Sequence, residues 1–112
     1  MKRKLGLNEE ILKAICEVGE EFKAEIYLLG SRARGDWLID SDIDLIIISN
    51  VFKDLEPAKR FSLIRLKLPK KASFDLLCYT EEEFKQLLAK KPIFKETLNK
   101  EAVKIHPVES SA

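Results

Sequence analysis

The sequence predicts a small α/β domain, and three observations support that prediction. Amphipathic helical segments alternate with short apolar strand segments along the chain of 112 residues. A hydrophobic content of 46% is enough for one core, and a chain of this length has no room for a second. No repeat or linker divides the sequence. We therefore expect one domain over residues 1–112, with flexible ends at 1–7 and 107–112.

The first half of the chain predicts one helix followed by two strands. Asn8 can cap a helix over 9–23, in which apolar residues recur every three or four positions. The segment EIYLLG, 25–30, indicates a strand that ends at a glycine. The segment IDLIIIS, 43–49, is apolar on both faces, which is typical of a central strand. The polar residues between the two strands are expected to form a loop.

The second half predicts a helix, a strand, two more helices and a final strand. Pro57 suits the first turn of the first helix, and Pro69 stops its pattern. The segment SFDLLCY alternates as a strand with two different faces does. Thr80 and Glu83 form a capping box that opens the next helix. The five elements are expected over residues 57–68, 73–79, 81–90, 93–99 and 102–106.

Charge and cysteine content restrict the class of protein. With 20 Lys and Arg against 19 Asp and Glu, the net charge is +1, so no global field attracts nucleic acid or membranes. Cys16 and Cys78 lack metal or redox spacing, so we expect both to be small core residues in a reducing compartment. No apolar run is long enough for a secretory signal or a membrane span. We therefore expect a cytoplasmic protein.

Three other features have less specific interpretations. Residues 59–71 carry six basic side chains and no acidic one. We expect a solvated helix face whose aliphatic stems cover apolar neighbours, with a partner or RNA surface as the alternative. His106 is expected at the surface. Trp37 lies in the polar loop, where it either packs locally or stacks on a base or a partner.

An acidic cluster lies at the start of the second strand. The strand period of two places Asp42 and Asp44 on one face, with the intervening residue on the other. Two adjacent carboxylates repel each other and raise each other's pKa unless a cation lies between them. Oxygen ligands without a nearby histidine or cysteine favour Mg²⁺ over zinc, and Mg²⁺ commonly binds substrate phosphates as well. The sequence therefore predicts a magnesium site with a phosphate ligand nearby.

The end of the first strand offers groups that suit such a phosphate. Gly30 lets the backbone approach the ligand, and Ser31 offers both an N–H and a hydroxyl donor. Arg32 and Arg34 follow, and the planar guanidinium of arginine matches phosphate oxygens. Arg34 precedes the flexible Gly35 and is the better placed of the two. Asp36 and Asp40 are expected to be loop and turn residues.

This pattern resembles a known family. Gly30-Ser31, then residues 32–41, then Asp42-x-Asp44 is similar to the signature of the DNA polymerase beta-like nucleotidyltransferase superfamily. The longer segment GSRARGDWLIDSDIDLIII is similar to the minimal nucleotidyltransferases, small proteins often encoded beside a helical HEPN partner. The resemblance implies a polymerase beta palm-like fold, in which helices pack mainly on one face of a small mixed sheet.

The resemblance also implies roles for individual residues. Asp42 and Asp44 would bind two Mg²⁺ ions, and Ser31 would hold the terminal phosphates of a nucleoside triphosphate. Asp75 matches the third carboxylate of the family, which shares one metal and helps to deprotonate the acceptor hydroxyl. That hydroxyl would attack the α-phosphorus in line, and pyrophosphate would leave. Arg34, predicted from its chemistry alone, joins Gly30 and Ser31 as a phosphate-binding candidate.

The family resemblance suggests a partner protein as well. Larger relatives carry a helical domain that this chain has no room for, so a separate helical protein or a second copy of the chain would complete the cleft. The expected function is an antitoxin, of type VII character, that transfers AMP from ATP to a hydroxyl of a HEPN toxin, with tyrosine as the favoured acceptor. The alternatives are a non-catalytic partner-binding antitoxin and a nucleotidyltransferase that acts on RNA or a small molecule.

Overall fold

The structure, a computed structural model, describes residues 5–108 and confirms the predicted α/β class. The strands are β1 (Glu25–Leu29), β2 (Ile43–Ile48), β3 (Phe74–Tyr79) and β4 (Val103–His106). The helices are α1 (Glu9–Phe22), α2 (Gly30–Arg34), α3 (Pro57–Leu66), α4 (Glu81–Lys90) and α5 (Pro92–Glu101), and a 3₁₀ turn covers Asn50–Asp54. None of the helices in residues 5–108 is long and apolar enough to cross a membrane.

The sheet is mixed, with the strand order β3-β2-β1-β4. β1 pairs antiparallel with both β2 and β4, whereas β2 and β3 run parallel. The chain crosses from β2 to β3 through the 3₁₀ turn and α3, as a parallel connection requires. This topology makes β2 a central strand, as its apolar sequence predicted, and it brings the starts of β2 and β3 to one edge of the sheet.

The two faces of the sheet have different roles. One face carries Ile26, Leu45 and Leu76, which pack with the buried residues of α1 and α3 in the main core. The opposite face carries Asp44 and Asp75 where β2 and β3 begin. The expected arrangement is therefore confirmed, with acids on one side and the main helical packing on the other.

Local capping fixes the bounds of α1 and α4. The Asn8 side chain accepts a hydrogen bond of 2.8 Å from the backbone N–H of Ile11, which satisfies one of the free donors of the first turn of α1. Lys23, with φ 49°, ends the helix in the left-handed region. Thr80 and Glu83 form the predicted capping box at α4.

The polar segment after β1 is not entirely a loop, which corrects the sequence prediction. Its first residues form the short helix α2, and Gly35 ends that helix with φ 99°. Glycines at both ends of so short a run hide the helix from a periodicity search. The expected loop residues Asp36 and Asp40 do lie outside the regular elements and are exposed.

Arg32 fastens this segment to the rest of the molecule. Its guanidinium donates to the backbone carbonyls of Gly6, Ile39 and Ser41, at 2.7 to 3.2 Å. It also lies 5.1 Å from the centre of the Trp37 ring, so Trp37 packs locally. Residues 5–7, predicted to be part of a flexible end, are instead held by this contact and by packing of their leucines on the core. Residues 1–4 and 109–112 lie outside the described residues.

The prediction of a solvated basic face over 59–71 holds for its four lysines, which are exposed, but is wrong for Arg60. Arg60 is only 5% exposed and forms a bidentate ion pair with Glu83 at 2.6 and 3.1 Å. It also donates to the carbonyls of Leu55 and Cys78. Arg65 donates to three backbone carbonyls of the chain that leads into β3. These partners are distant carbonyls and one acid, which residue type alone does not reveal.

His106 is a second correction, because it is mostly buried. Its Nδ1 lies 2.8 Å from the carbonyl oxygen of Ala24, and its ring fills the space above Gly19. The cysteines behave as predicted: Cys16 and Cys78 are both free and pack against the core. Burial raises the pKa of the Cys78 thiol to about 11, so it remains protonated near neutral pH.

Candidate active site

The predicted acids come together at one edge of the sheet. Asp44 of β2 and Asp75 of β3 are direct partners in the parallel register, so their side chains leave the same face. Asp42 precedes Asp44 by two residues, just before β2 begins. Asp44 is half-buried, whereas Asp42 and Asp75 are exposed. The three predicted acids therefore lie near one another where the two strands begin, and Asp44 and Asp75 are direct neighbours across the strands.

No ion pair within residues 5–108 neutralises the charge of this cluster. The carboxylates of Asp42, Asp44 and Asp75 form no hydrogen bond or ion pair with any of these residues. Burial raises the pKa of Asp44 above its usual value, and the negative charges of Asp75 and Asp42 raise it further. The charge of Arg34 acts in the opposite direction. A cluster with these properties favours a cation as its missing partner.

The backbone of Gly30 lies close against the Asp44 carboxylate. It follows Leu29, which is the register partner of Asp44 in β1, and its φ is 73°. A Cβ atom added to Gly30 would overlap the Asp44 carboxylate. Glycine is therefore required here twice, by the backbone conformation and by the close approach of the carboxylate.

Ser31 and Arg34 follow Gly30 in α2. Ser31 is half-buried, and its hydroxyl makes no hydrogen bond with any residue of 5–108. Arg34 forms ion pairs with Asp36 at 3.4 Å and with Glu101 at 3.5 Å. Arg32 is occupied by backbone carbonyls, as described above, so Arg34 is the arginine that remains for a ligand. Glu101 could not be predicted as a partner of Arg34 from the sequence, because it belongs to α5, far along the chain.

The donor set fits Mg²⁺, although it does not form a complete cage. Among residues 5–108, no three His, Cys, Asp or Glu side chains converge closely enough to hold a metal by themselves. Mg²⁺ does not need such a cage, because it usually keeps several waters and binds one or two carboxylates together with substrate phosphates. The carboxylates of Asp42, Asp44 and Asp75, unpaired within residues 5–108 and close to the start of α2, provide that kind of incomplete site.

The acidic edge is open to solvent. A cleft of about 690 Å³ lies at the other side of β2, where Ile11, Trp37, Ile43 and Pro69 are among its lining residues. A smaller cavity of about 420 Å³ lies near the start of α4. None of the three carboxylates lines either cavity. The three candidate acids therefore lie outside both of these cavities, with Asp42 and Asp75 exposed to solvent.

Comparison with known proteins agrees with the motif. The sequence profile described as nucleotidyltransferase domain matches residues 9–111. A protein from Sulfolobus solfataricus assigned as a nucleotidyltransferase has the same fold, with a TM-score of 0.53 and 24% identity over 88% of each chain. A second structure with that assignment is 35% identical, with a TM-score of 0.50 over 70% of this chain and 88% of the other. Curated proteins gave no significant match. This chain belongs to the nucleotidyltransferase domain family.

Proposed function

We propose that the protein is a Mg²⁺-dependent nucleotidyltransferase that transfers AMP from ATP to a hydroxyl group of a partner protein. One observation carries the proposal: the carboxylates of Asp44 and Asp75 leave neighbouring strands at the same level and form no ion pair with any residue of 5–108, and the Asp44 carboxylate lies against the backbone of Gly30. An acidic edge next to the glycine and serine that begin α2 is suited to a metal-bound triphosphate. Family membership supports the transferase class, and the choice of ATP is part of the proposal.

Each residue of the site has a proposed task. Asp42, Asp44 and Asp75 would hold the magnesium ions, which neutralise negative charge on the phosphates when they are bound. Ser31 would donate its hydroxyl to a terminal phosphate oxygen, since that hydroxyl has no hydrogen bond within the described residues. Arg34 would add a charged donor from the end of α2. Gly30 has no Cβ atom, so the Asp44 carboxylate and the ligand can approach its backbone closely.

The proposed transfer is an in-line displacement at the α-phosphorus. The acceptor hydroxyl oxygen forms a bond to phosphorus, and the bond from phosphorus to the bridging oxygen of the β-phosphate breaks. Pyrophosphate leaves with the electron pair of that bond. Asp75, the exposed acid of the pair, would accept the hydroxyl proton and release it to solvent. The contribution of the chain is mainly to position the reactants and to place charge where it develops.

The partner in this proposal is a helical toxin of the HEPN type, and the protein acts as its antitoxin. The sequence resemblance to the minimal nucleotidyltransferases supports this choice. The exposure of Asp42 and Asp75 is consistent with it, because an acceptor on a second protein could reach them from solvent. Helices α4 and α5 contain no buried residue, so they leave apolar side chains such as Ile93 exposed. A second protein could cover them while it presents its hydroxyl.

The test uses ATP labelled on the α-phosphate. The full chain is incubated with labelled ATP, Mg²⁺ and, in separate reactions, the protein from the neighbouring reading frame, total RNA and small hydroxyl compounds. Asp44→Asn serves as the inactive variant, and Asp40→Asn is the matched control, because Asp40 is an exposed acid outside the cluster. The proposal predicts label on a hydroxyl of the partner protein with wild type and Asp40→Asn, and none with Asp44→Asn.

Other outcomes select the alternatives. Label on RNA or on a small compound would keep the enzyme class and overturn the proposed acceptor. Partner binding without any label, with each of the four nucleoside triphosphates, would favour a non-catalytic binding module. Transfer by Asp44→Asn at the wild-type rate would contradict the assignment of the site itself.

A further inference from the structure

Arg34 is held at two of its three guanidinium nitrogens. Its Nε lies 3.4 Å from the Asp36 carboxylate, and its Nη1 lies 3.5 Å from Oε2 of Glu101. Its Nη2 donates no hydrogen bond to any residue of 5–108. Because the guanidinium is rigid and planar, fixing two nitrogens also fixes the direction of the third. Arg34 therefore presents one free donor edge in a defined direction.

The position of Glu101 is fixed by the sheet. Glu101 is the last residue of α5, and the N–H of Ala102 closes that helix on the carbonyl of Leu98 at 2.9 Å. Val103 then enters β4 opposite Leu28 of β1. β1 ends one residue later, and α2, which carries Arg34, begins immediately after it. Glu101 and Arg34 are thus anchored to the same end of one strand.

The location of Glu101 is unfavourable for α5 alone. The carboxyl end of a helix carries partial negative charge, so an acidic residue there lowers helix stability. The neighbouring Lys100 has the favourable sign, whereas Glu101 does not. The contact with Arg34 offsets this cost, and its side chain is only 35% exposed. Glu96 on the same helix differs, because it is 67% exposed and pairs with Lys100.

We propose that Glu101 is a positioning residue for the nucleotide: it orients Arg34 so that the free Nη2 edge meets the triphosphate beside Asp44. Asp36 assists from an exposed loop, but Glu101 provides the fixed point, since it is attached to a helix and a strand. The inference rests on the proposed function, because it requires a triphosphate at the acidic edge. It adds that α5 contributes to the affinity for that triphosphate through Glu101.

The experiment measures the binding of Mg²⁺-ATP by calorimetry at about 0.15 M salt, where long-range charge effects are largely screened. Glu101→Gln removes the charge, and Glu101→Asp keeps the charge but is too short to maintain the contact. Both are expected to raise Kd and KM about two- to fivefold, the range of an exposed ion pair, with kcat unchanged. Glu96→Gln, with the same charge change on the same helix, should bind like wild type.

A double variant distinguishes positioning from a general structural role. Arg34→Gln should weaken binding by about tenfold or more, and Glu101→Gln should then have no further effect in that background. Equal losses with and without Arg34 would overturn the inference, as would wild-type affinity in both Glu101 variants. If wild type itself binds no nucleotide, the proposed function fails together with the inference. If wild type binds and the Glu101 variants match it, only the inference fails.

Discussion

Replacing Gly30 with alanine tests whether the close contact between the Gly30 backbone and the Asp44 carboxylate positions Asp44. The backbone at this residue has φ 73°, a region that costs a residue with a Cβ about 1 to 2 kcal/mol. The new Cβ would also overlap the Asp44 carboxylate, which must move away. A displacement of about 1 Å at a reacting group can lower the rate about a hundredfold.

Gly35→Ala is the matched control for this prediction. Gly35 also has a positive φ, 99°, but nothing lies within 4 Å of an added Cβ. Both variants should therefore lose about 1 to 2 kcal/mol of unfolding free energy from backbone strain, as measured by urea denaturation. Only Gly30→Ala should also lose the transfer reaction, by about a hundredfold, while Gly35→Ala stays near the wild-type rate.

One result would refute the Gly30→Ala prediction. If Gly30→Ala transfers label at the wild-type rate, as Gly35→Ala is expected to do, the Asp44 carboxylate is not positioned by Gly30. The close approach of the two residues would then be irrelevant to the chemistry, and Gly30 would serve only the backbone conformation at the start of α2.

Three further predictions concern charged side chains. Asp44→Asn should lower transfer by about a hundredfold or more without loss of folding. Because burial, Asp75 and Asp42 raise the pKa of Asp44 in the folded state, wild-type stability should fall as the pH rises from 3.8 through that raised pKa, and the asparagine variant should not show this fall. Arg60→Met should cost about 2 to 4 kcal/mol in urea denaturation, since it removes the bidentate pair and two bonds to carbonyls. Arg32→Lys should cost about 1 to 3 kcal/mol, because one ammonium cannot reach all the carbonyls that the guanidinium joins.

Controls and contrary outcomes are available for each of these. Lys59→Met, at the exposed neighbour of Arg60, should change stability by less than about 0.5 kcal/mol. An Arg60→Met protein as stable as this control would show that the buried pair contributes nothing. The same change of stability with pH above 3.8 in wild type and in Asp44→Asn would contradict a raised pKa of Asp44 in the folded state. Wild-type stability of Arg32→Lys would contradict the last prediction, because one ammonium would then replace all the hydrogen bonds of the Arg32 guanidinium.

The sequence predicted the acidic edge because its determinants are local. A period of two places Asp42 and Asp44 on one side of a strand, and the alternation in SFDLLCY places Asp75 on the polar side of another. Their meeting needed one more fact, the parallel register of β2 and β3. The crossover through α3 makes that register possible, and the family resemblance supplied the expectation.

The residues that the sequence did not predict depend on distant partners. Arg60 is buried because carbonyls from before α3 and from β3, together with an acid of α4, surround it. His106 is buried because Gly19 leaves space for its ring. Glu101 meets Arg34 across 67 positions of sequence. In each case the partner lies outside any local window, so pattern and propensity cannot identify it.

Calorimetric titration of nucleoside triphosphates into the full chain tests the central claim most directly, which is that magnesium and a triphosphate complete the acidic edge. The account predicts magnesium-dependent binding that disappears in EDTA and weakens by about tenfold or more in Asp44→Asn. Absence of binding for every triphosphate in the presence of Mg²⁺ and the partner protein, or equal affinity in EDTA, would contradict it.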